Sequence, residues 1–190
     1  MTHDPFQYYR RSLRQRKYSF SRGGIHFVTI CTHNRECMLG EVVESEMRLN
    51  EYGTIAREEW LHTEVARPNV LIDEFIIMPN HIHAIIVLTG GLLGEKRRGT
   101  TSSYGSAAGR PEAQVPDSID GVMQQFRRNT TRRINSMRST PGALVWQDDQ
   151  YERAIRNAYT LERLRGHIAD NPATWDRDEN NPASRHAPTD

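Results

Sequence analysis

The chain has 190 residues, which is enough for one domain with a proper hydrophobic core, and its 25 Lys and Arg residues nearly balance its 24 Asp and Glu residues. No stretch reaches the roughly 18 apolar residues that a membrane span needs, and the basic N-terminus lacks the apolar segment of a secretory signal. Cys31 and Cys37 give neither a disulfide framework nor zinc-site spacing. From these features together we expect a cytoplasmic protein with no membrane partner.

The first predicted element is a strand over residues 25–32, where β-branched and aromatic residues follow two glycines. Apolar residues at helical spacing then predict a helix over 47–63, with acidic residues on its other faces. Two apolar runs, 70–77 and 81–88, predict strands, and Met78-Pro79-Asn80 between them has the composition of a turn. These two strands are therefore expected to form a hairpin.

The second half of the chain begins with residues 89–118, which are rich in Gly, Ser, Thr and Pro and lack periodicity, so we predict a long flexible loop. Apolar residues three or four apart then predict a helix over 119–137, and a short strand is predicted over 143–147. A last helix is predicted from 155 to 168. The composition of residues 176–190 predicts a disordered tail.

The predicted order is strand, helix, strand, strand, helix, strand, helix. A hairpin in the middle of this order favours an antiparallel sheet with helices packed against it. The expected fold class is therefore α+β, with a ferredoxin-like (RRM-like) antiparallel sheet and helices on one face. Residues 1–175 are expected to form this single domain.

Two histidines, His81 and His83, interrupt the apolar strand 81–88. Side chains at positions i and i+2 of a strand point to the same face, so the two imidazoles are expected to lie side by side. Such a pair can share one divalent ion, with a third ligand from elsewhere in the fold. An isolated H-x-H is a weak pattern, however, and two polar residues on an exposed sheet face would look the same in the sequence.

The stretch MPNHIHAIIVL, residues 78–88, resembles the HUH motif (His, hydrophobic, His) of single-tyrosine transposases of the insertion-sequence type. Other stretches are similar to the REP-associated tyrosine transposases in particular. Residues 8–40 resemble their N-terminal basic segment and first strand, and QQFRRNTTRRIN, 124–135, resembles their basic helix. VWQDDQYERAIRN, 145–157, and LERLRGHIADNPATW, 161–175, resemble their C-terminal signature. The matched blocks follow the family's order over most of the chain.

The resemblance implies a function on DNA. Proteins of this family bind single-stranded DNA next to hairpins, often at repetitive palindromic elements. Two histidines hold Mg²⁺ or Mn²⁺ against the scissile phosphate, and a tyrosine on the C-terminal helix attacks it, leaving a 5′-phosphotyrosine and a free 3′-hydroxyl. Insertion-sequence relatives act as dimers. The resemblance thus implies that this chain binds Mg²⁺ or Mn²⁺ and single-stranded or hairpin DNA, as a monomer or homodimer.

The chain departs from the family at the nucleophile. The family's tyrosine lies four residues before the Asn of an Asn-Pro signature, and this Asn corresponds to Asn171. The nucleophile position is then occupied by His167 rather than by a tyrosine. The resemblance therefore implies a metal site formed by His81, His83 and Asn171, with His167 beside it.

Three interpretations of His167 stay open. The protein binds DNA without cleaving it, or the imidazole of His167 itself attacks phosphorus, or another tyrosine replaces the missing one. Tyr159 is the candidate for such a replacement, although it lies about two helical turns or ~12 Å from His167. Tyr151 precedes the helix and matches an ordinary aromatic position of the family. The candidate catalytic residues are therefore His167 and Tyr159.

Basic residues are concentrated in two segments. Residues 1–24 carry six basic and one acidic residue, and residues 95–138 carry nine basic and four acidic residues, whereas residues 41–74 are acidic. Runs of charge are usually solvated faces, but together with the family resemblance these two favour contacts with phosphate. The predicted DNA-binding residues are Arg10, Arg11, Arg14, Arg16, Lys17, Arg127, Arg128, Arg132 and Arg133.

Three functions are compatible with the sequence. The first is an HUH-type transposase that cleaves and joins single-stranded DNA through a covalent phospho-enzyme. The second is a catalytically impaired protein that binds hairpin DNA. The third, an RRM-like RNA-binding protein, is not favoured because the aromatic RNA-binding motif of that fold is not evident.

Overall fold

The computed structural model describes residues 24–89 and 118–184. The flexible loop predicted over 89–118 falls outside these ranges except for its two end residues. No helix within the two ranges is long and apolar enough to cross a membrane. The elements in chain order are β1 (Gly24–Thr32), a 3₁₀ helix (His33–Arg35), β2 (Gly40–Val43), β3 (Glu46–Leu49), α1 (Glu51–Ala66), β4 (Val70–Ile77), β5 (His81–Leu88), α2 (Ile119–Met137), β6 (Trp146–Ile155), α3 (Ala158–Asp170) and a second 3₁₀ helix (Pro172–Arg177).

Four strands form one antiparallel sheet in the order β4-β5-β1-β6. The inner strands of this sheet are β5 and β1, and its edge strands are β4 and β6. Helix α1 lies in the connection from β1 to β4 and α2 in the connection from β5 to β6, and we call these two the crossover helices. This order is the ferredoxin-like arrangement, and the predicted α+β fold class is confirmed. The remaining strands, β2 and β3, form a separate two-stranded hairpin.

The crossover helices α1 and α2 cover one face of the sheet. Their apolar side chains pack against even-numbered residues of the central strands, such as Ile30, Ile82 and Ile86. Trp60 of α1 and Phe126 of α2 meet edge to face, with ring centroids 4.8 Å apart. Full burial of an apolar side chain such as Phe126 contributes roughly 1.5–3 kcal/mol, and this layer holds the larger of the two apolar clusters of the described residues.

The third helix, α3, lies on the opposite face. Leu161 and Ile168 of this helix belong to a second apolar cluster together with Ile85 of β5. The odd-numbered residues of β5 therefore face α3, and His81 and His83 belong to that set. The helices thus do not all lie on one face, because α3 follows the last strand and buries its apolar stripe on the side that the crossover helices leave open.

Much of the predicted secondary structure is confirmed, since β4, β5 and α2 have the predicted bounds and β1 begins one residue earlier than predicted. The first helix begins later than predicted, because Met47 lies in β3. The side chain of Asn50 then caps α1 by accepting backbone N–H groups of its first turn.

The last strand and the last helix differ from the prediction. β6 runs from Trp146 to Ile155 rather than over 143–147, and Ile155 pairs with Ile25 of β1 instead of starting the helix. A single apolar residue at the end of a strand fits either periodicity, so the sequence pattern could not separate the two elements. The helix α3 begins only after Asn157, whose side chain caps it.

The predicted disordered tail is folded over its first part, residues 176–184. Asn180 is buried, and the hydroxyl of Ser184 donates to the carbonyl oxygen of Asp178 at 2.7 Å. The polar composition predicted disorder, but the structure gives these polar side chains partners within the fold, which composition alone does not show. Residues 185–190 lie outside the described residues.

Candidate active site

The two histidines lie at the start of β5, an inner strand of the sheet. His83 is the cross-strand partner of Thr29 and His81 that of Cys31, both in β1. The ring centroids of His81 and His83 are 4.5 Å apart, and the two residues are 0 % and 5 % exposed. They therefore form one buried pair on the face that α3 covers.

Hydrogen bonds fix the orientation of the His81 ring. The amide nitrogen of Asn80 donates to the carbonyl oxygens of Arg35 and Asn180, at 2.9 and 2.8 Å, so the amide oxygen faces His81 Nδ1 at 3.0 Å. Because an amide oxygen can only accept, Nδ1 carries the proton and Nε2 has a free lone pair. That Nε2 atom is buried and has no hydrogen-bond partner among the described residues.

The His83 ring is held by one hydrogen bond and one aromatic contact. Its Nδ1 lies 2.7 Å from the hydroxyl oxygen of Thr29, and the Phe27 ring stacks on it with centroids 5.3 Å apart. Because Thr29 occupies Nδ1, Nε2 is the nitrogen that can reach a ligand.

The end of α3 and the segment after it bring two side-chain oxygens close to His81. The amide nitrogen of Asn171, the C-cap of α3, donates to Asp178 Oδ2 at 3.1 Å, and its buried Oδ1 has no partner in the described part of the chain. Asp178 Oδ2 lies 3.8 Å from His81 Nε2. One donor atom each from His81, His83 and Asp178 lie within 4.8 Å of one another. This spacing suits a shared cation.

Burial keeps both imidazoles neutral. It lowers the pKa of His81 to about 4, although the neighbouring Asp178 carboxylate opposes part of that shift. It also lowers the pKa of His83 well below the ordinary value for histidine, and the nearby His81 adds to this effect. At neutral pH the rings therefore offer lone pairs. Imidazole nitrogens combined with carboxylate and amide oxygens fit Mn²⁺ or Mg²⁺ in donor chemistry.

His167 lies at the rim of this cluster. It is an exposed residue on the last turn of α3, four residues before Asn171, and its ring centroid is 5.1 Å from that of His83 and 6.2 Å from that of Phe27. The structure therefore brings His167 next to the histidine pair. Tyr159, the other candidate catalytic residue, is the second residue of α3 and is 75 % exposed, so it lies at the far end of the helix.

A buried ion pair that was not predicted from the sequence holds α3 on the sheet. Arg165 Nε and Nη2 donate to the two carboxylate oxygens of Asp73 in β4, at 2.7 and 2.6 Å. Both side chains are buried, and the Asp73 carboxylate raises the pKa of Arg165. The available signal was an acidic residue inside the apolar run of β4. Because Arg165 lies two residues before His167, this pair fixes the part of α3 that approaches the site.

The segment that carries Asp178 is tied to the start of the sheet. The side-chain oxygen of Asn180 accepts from Arg35 Nη1 at 2.5 Å and from Cys31 Sγ at 3.7 Å. Together with the bond from Asn80 to the Asn180 carbonyl, these contacts hold Asp178 beside the histidines. Asp178 was not among the predicted site residues, because no motif marks it and its surroundings have the composition of a disordered tail.

The four predicted DNA-binding arginines of α2 have different environments. Arg127 donates to two backbone carbonyl oxygens of β6, and Arg133 forms ion pairs with two glutamates of α1. Arg128 and Arg132 are exposed, lie one turn apart and form no hydrogen bond or ion pair within the described residues. They line an open groove of about 680 Å³ between α2 and residues 139–148. The remaining predicted DNA-binding residues, Arg10, Arg11, Arg14, Arg16 and Lys17, lie outside the described residues.

Comparison with known proteins gives one relative by sequence and a common fold by structure. No protein-family profile matches the chain. An uncharacterized protein of Haemophilus influenzae is 31 % identical over 174 residues, which cover 90 % of this chain and 93 % of that protein. A structure of a REP-associated tyrosine transposase bound to a REP hairpin matches with a TM-score of 0.54 and 17 % identity, over 85 % of this chain and 73 % of that chain. The predicted resemblance to these transposases is thereby confirmed for the fold.

A second solved structure is less similar. It is provisionally described as a transposase of Deinococcus radiodurans, and it is 11 % identical over 82 % of this chain and 96 % of that chain. Its TM-score of 0.39 is too low to establish a common fold.

Proposed function

The chain belongs to one protein family with the Haemophilus influenzae relative and has the fold of the REP-associated tyrosine transposase, and from this premise we propose that it acts on single-stranded or hairpin DNA. The proposed reaction is metal-assisted cleavage and joining of a DNA strand through a covalent phospho-enzyme. The observation that carries the proposal is the buried pair of neutral imidazoles, His81 and His83, which face the end of α3.

DNA as the substrate is supported by the fold neighbour and by the charge on α2. The transposase structure is described as bound to a REP hairpin. Arg128 and Arg132 present two exposed guanidinium groups along the same groove, and arginine suits the geometry of phosphate oxygens. We assign these two residues to the DNA backbone, where such contacts position the nucleic acid without reading its sequence.

A divalent ion, Mg²⁺ or Mn²⁺, would be held by His81, His83, Asn171 and Asp178. When bound, it stabilises negative charge on the oxygens of the scissile phosphate. The buried Nε2 of His81 and Oδ1 of Asn171 would each gain the partner that they lack in the protein. The hydrogen bond from His81 Nδ1 to Asn80 keeps the free lone pair on Nε2, an arrangement that tunes metal-binding histidines in general.

The residue at position 167 favours a second candidate function. The family's nucleophile is a tyrosine, and an imidazole occupies its place at the rim of the histidine pair. A protein that recognises hairpin DNA but does not cleave it would keep the same fold and the same basic groove. The two candidates differ in one observable, the formation of a covalent bond between protein and DNA.

A cleavage assay tests the proposal. The protein is incubated with Mn²⁺ and a pool of single-stranded oligonucleotides, each carrying a short hairpin between random-sequence tails. An adduct that survives denaturing electrophoresis, and that is absent with EDTA or in His83→Ala, supports metal-assisted strand cleavage. His62→Ala is the matched control, because His62 is an exposed histidine of α1, on the other face of the sheet. Salt-sensitive binding without an adduct supports the second candidate, and absence of binding contradicts both.

A further inference from the structure

We propose that Tyr151 is the nucleophile of this site and attacks the scissile phosphate in place of the tyrosine that His167 replaces. The inference rests on the proposed function, since it names the residue that would form the covalent phospho-enzyme.

Tyr151 lies on the same face of the sheet as the histidine pair. In β6 it is the cross-strand partner of Thr29, and Thr29 is in turn the partner of His83. Directly opposed residues of antiparallel strands point to the same face, so these three side chains form one row across the sheet. Neighbouring strands are roughly 4.7–4.9 Å apart, which places the backbones of Tyr151 and His83 roughly 10 Å apart.

One aromatic ring connects Tyr151 to the site. Phe27 contacts His83, His167 and Tyr151, with centroid distances of 5.3, 6.2 and 6.4 Å, and the contact with Tyr151 is edge-on. Phe27 is 6 % exposed, whereas Tyr151 is 55 % exposed. The buried ring therefore sets the spacing of the three groups around it, while the phenol stays accessible to a ligand.

The half of this face next to β6 is open to DNA. The helix α3 packs mainly on β4 and β5. The β6 residues Tyr151 and Arg153, which share the face of the histidine pair, are both exposed. A single strand can therefore approach from the β6 side, with Arg153 in position to contact a phosphate next to the one that is attacked.

Thr29 occupies the position between His83 and Tyr151 in this row, and its hydroxyl oxygen lies 2.7 Å from His83 Nδ1. We place the scissile phosphate above Thr29, on the solvent side of the row, with His83 and Tyr151 flanking it. For attack, the phenol oxygen must lie ~3–3.5 Å from phosphorus and in line with the leaving oxygen. An exposed tyrosine can turn about its χ1 bond to reach such a position.

The other two tyrosines of the described residues are placed differently. Tyr52 of α1 packs against the core on the opposite face of the sheet. Tyr159 lies at the start of α3, about two turns or ~12 Å from the end that carries His167. Within the described part of the chain, Tyr151 is thus the tyrosine that contacts the aromatic group beside His83.

The reaction balances without an additional reactant. The phenol oxygen of Tyr151 forms a bond to phosphorus, and the bond between phosphorus and the 3′-oxygen of the preceding nucleotide breaks. The phenolic proton passes to solvent, and the released 3′-oxygen takes up a proton from solvent. The products are a 5′-phosphotyrosyl enzyme and a free 3′-hydroxyl, and attack by that hydroxyl reverses the reaction and rejoins the strand.

The test identifies the residue that carries the adduct. Wild-type protein is incubated with Mn²⁺ and the hairpin oligonucleotide pool, digested with protease and nuclease, and mapped by mass spectrometry. We expect the nucleotide on the peptide that contains Tyr151, in a linkage that survives acid. Tyr151→Phe should lose adduct formation by more than about 100-fold, as expected for a missing nucleophile, while it keeps hairpin binding because the ring and its contact with Phe27 remain. Tyr52→Phe is the matched control, because Tyr52 packs on the opposite face of the sheet, and it should form the adduct at the wild-type level.

Two results would overturn the assignment, and they separate it from the proposed function. An acid-labile adduct on His167 that persists in Tyr151→Phe would identify phosphohistidine, so the nucleophile would be His167 and the cleavage function would stand. Wild-type protein that binds the hairpins but forms no adduct would remove both the nucleophile and the cleavage reaction.

Discussion

Replacing Arg165 with Met tests how α3 is held over the histidine pair. The guanidinium donates two hydrogen bonds, of 2.7 and 2.6 Å, to the carboxylate of Asp73, and the two side chains are 8 % and 1 % exposed. Arg165 also contacts Glu162 at 2.5 Å, but that carboxylate is 69 % exposed. The same arginine thus makes one buried and one exposed ion pair, which allows a matched comparison.

The two ion pairs should differ in energy. Removing one partner of a buried ion pair costs ~3–5 kcal/mol, because the remaining charge stays in a poorly solvated position. For a chain of this size, ~2–4 °C of melting temperature is lost per kcal/mol, so Arg165→Met should lower the melting temperature by roughly 6–20 °C. Glu162→Gln removes a solvent-screened pair and should cost less than ~1 kcal/mol.

Urea unfolding of the two single variants and of Asp73→Leu/Arg165→Met measures these differences. The double variant should recover part of the loss, because it leaves no buried charge. Mn²⁺ titration of folded Arg165→Met should also show weaker binding, since Asn171 lies at the end of the same helix. If Arg165→Met and Glu162→Gln both stayed within ~1 kcal/mol of the wild type, the buried pair would not anchor α3.

Three further outcomes follow from the structure. Folding lowers the pKa of His81 from 6.5 to about 4 and also lowers that of His83, so the unfolded chain binds more protons than the folded chain in this pH range. The free energy of unfolding should therefore be highest above about pH 6.5 and fall as the pH drops toward about 4. Urea titrations at several pH values check this, and a free energy of unfolding that did not change with pH would contradict it. Affinity for hairpin DNA falls as salt rises, and Arg128→Ala should make the plot of log affinity against log salt concentration less steep by about one unit. Arg127→Ala should change the steepness less, because Arg127 donates hydrogen bonds to backbone carbonyl oxygens of β6. Asn180→Ala should weaken Mn²⁺ binding roughly tenfold in calorimetry by releasing the segment that carries Asp178, a proposed ligand, and an unchanged affinity would show that this network is not needed.

The parts of the fold that were predicted are those with strong local signals. The hairpin of β4 and β5 has two apolar runs and a turn, and α2 has a long apolar stripe, so both were found with the observed bounds. The hairpin of β2 and β3 was missed because each strand has only four residues, and because Met47 of β3 also fits the helical spacing of the apolar residues that follow it. Short elements are stabilised by neighbours that are distant in sequence, and such neighbours cannot be inferred from a local pattern.

In the candidate site, too, the residues with a local sequence signal were predicted, and those that long-range contacts bring to the site were not. His81 and His83 are two residues apart on one strand, so the period of a strand was enough to predict that they lie side by side. Asp178 reaches the site because Asn180 accepts hydrogen bonds from Arg35 and from Asn80 at the end of the β4–β5 turn. These contacts join residues about a hundred or more positions apart in the chain. Tyr151 faces the site because of the register between β1 and β6. Long-range contacts and strand register are determined by the assembled fold, and one sequence does not reveal them.

The polar atoms of the site are costly in the absence of a ligand. An unsatisfied buried polar atom costs ~1–3 kcal/mol, and His81 Nε2 and Asn171 Oδ1 are two such atoms. An apolar side chain at position 81 would continue the row that Ile85 belongs to and would remove one of these costs. His81→Leu also leaves the buried Asn80 Oδ1 without its donor, a cost of the same size, so the stability of the variant in EDTA should be close to that of the wild type. Mn²⁺ should stabilise only the wild type, by about 2.7 kcal/mol at 100 times its dissociation constant. Thermal unfolding with and without Mn²⁺ measures both effects. A variant that was clearly less stable in EDTA would mean that His81 supports the fold itself, and equal stabilisation of both proteins by Mn²⁺ would place the ion elsewhere.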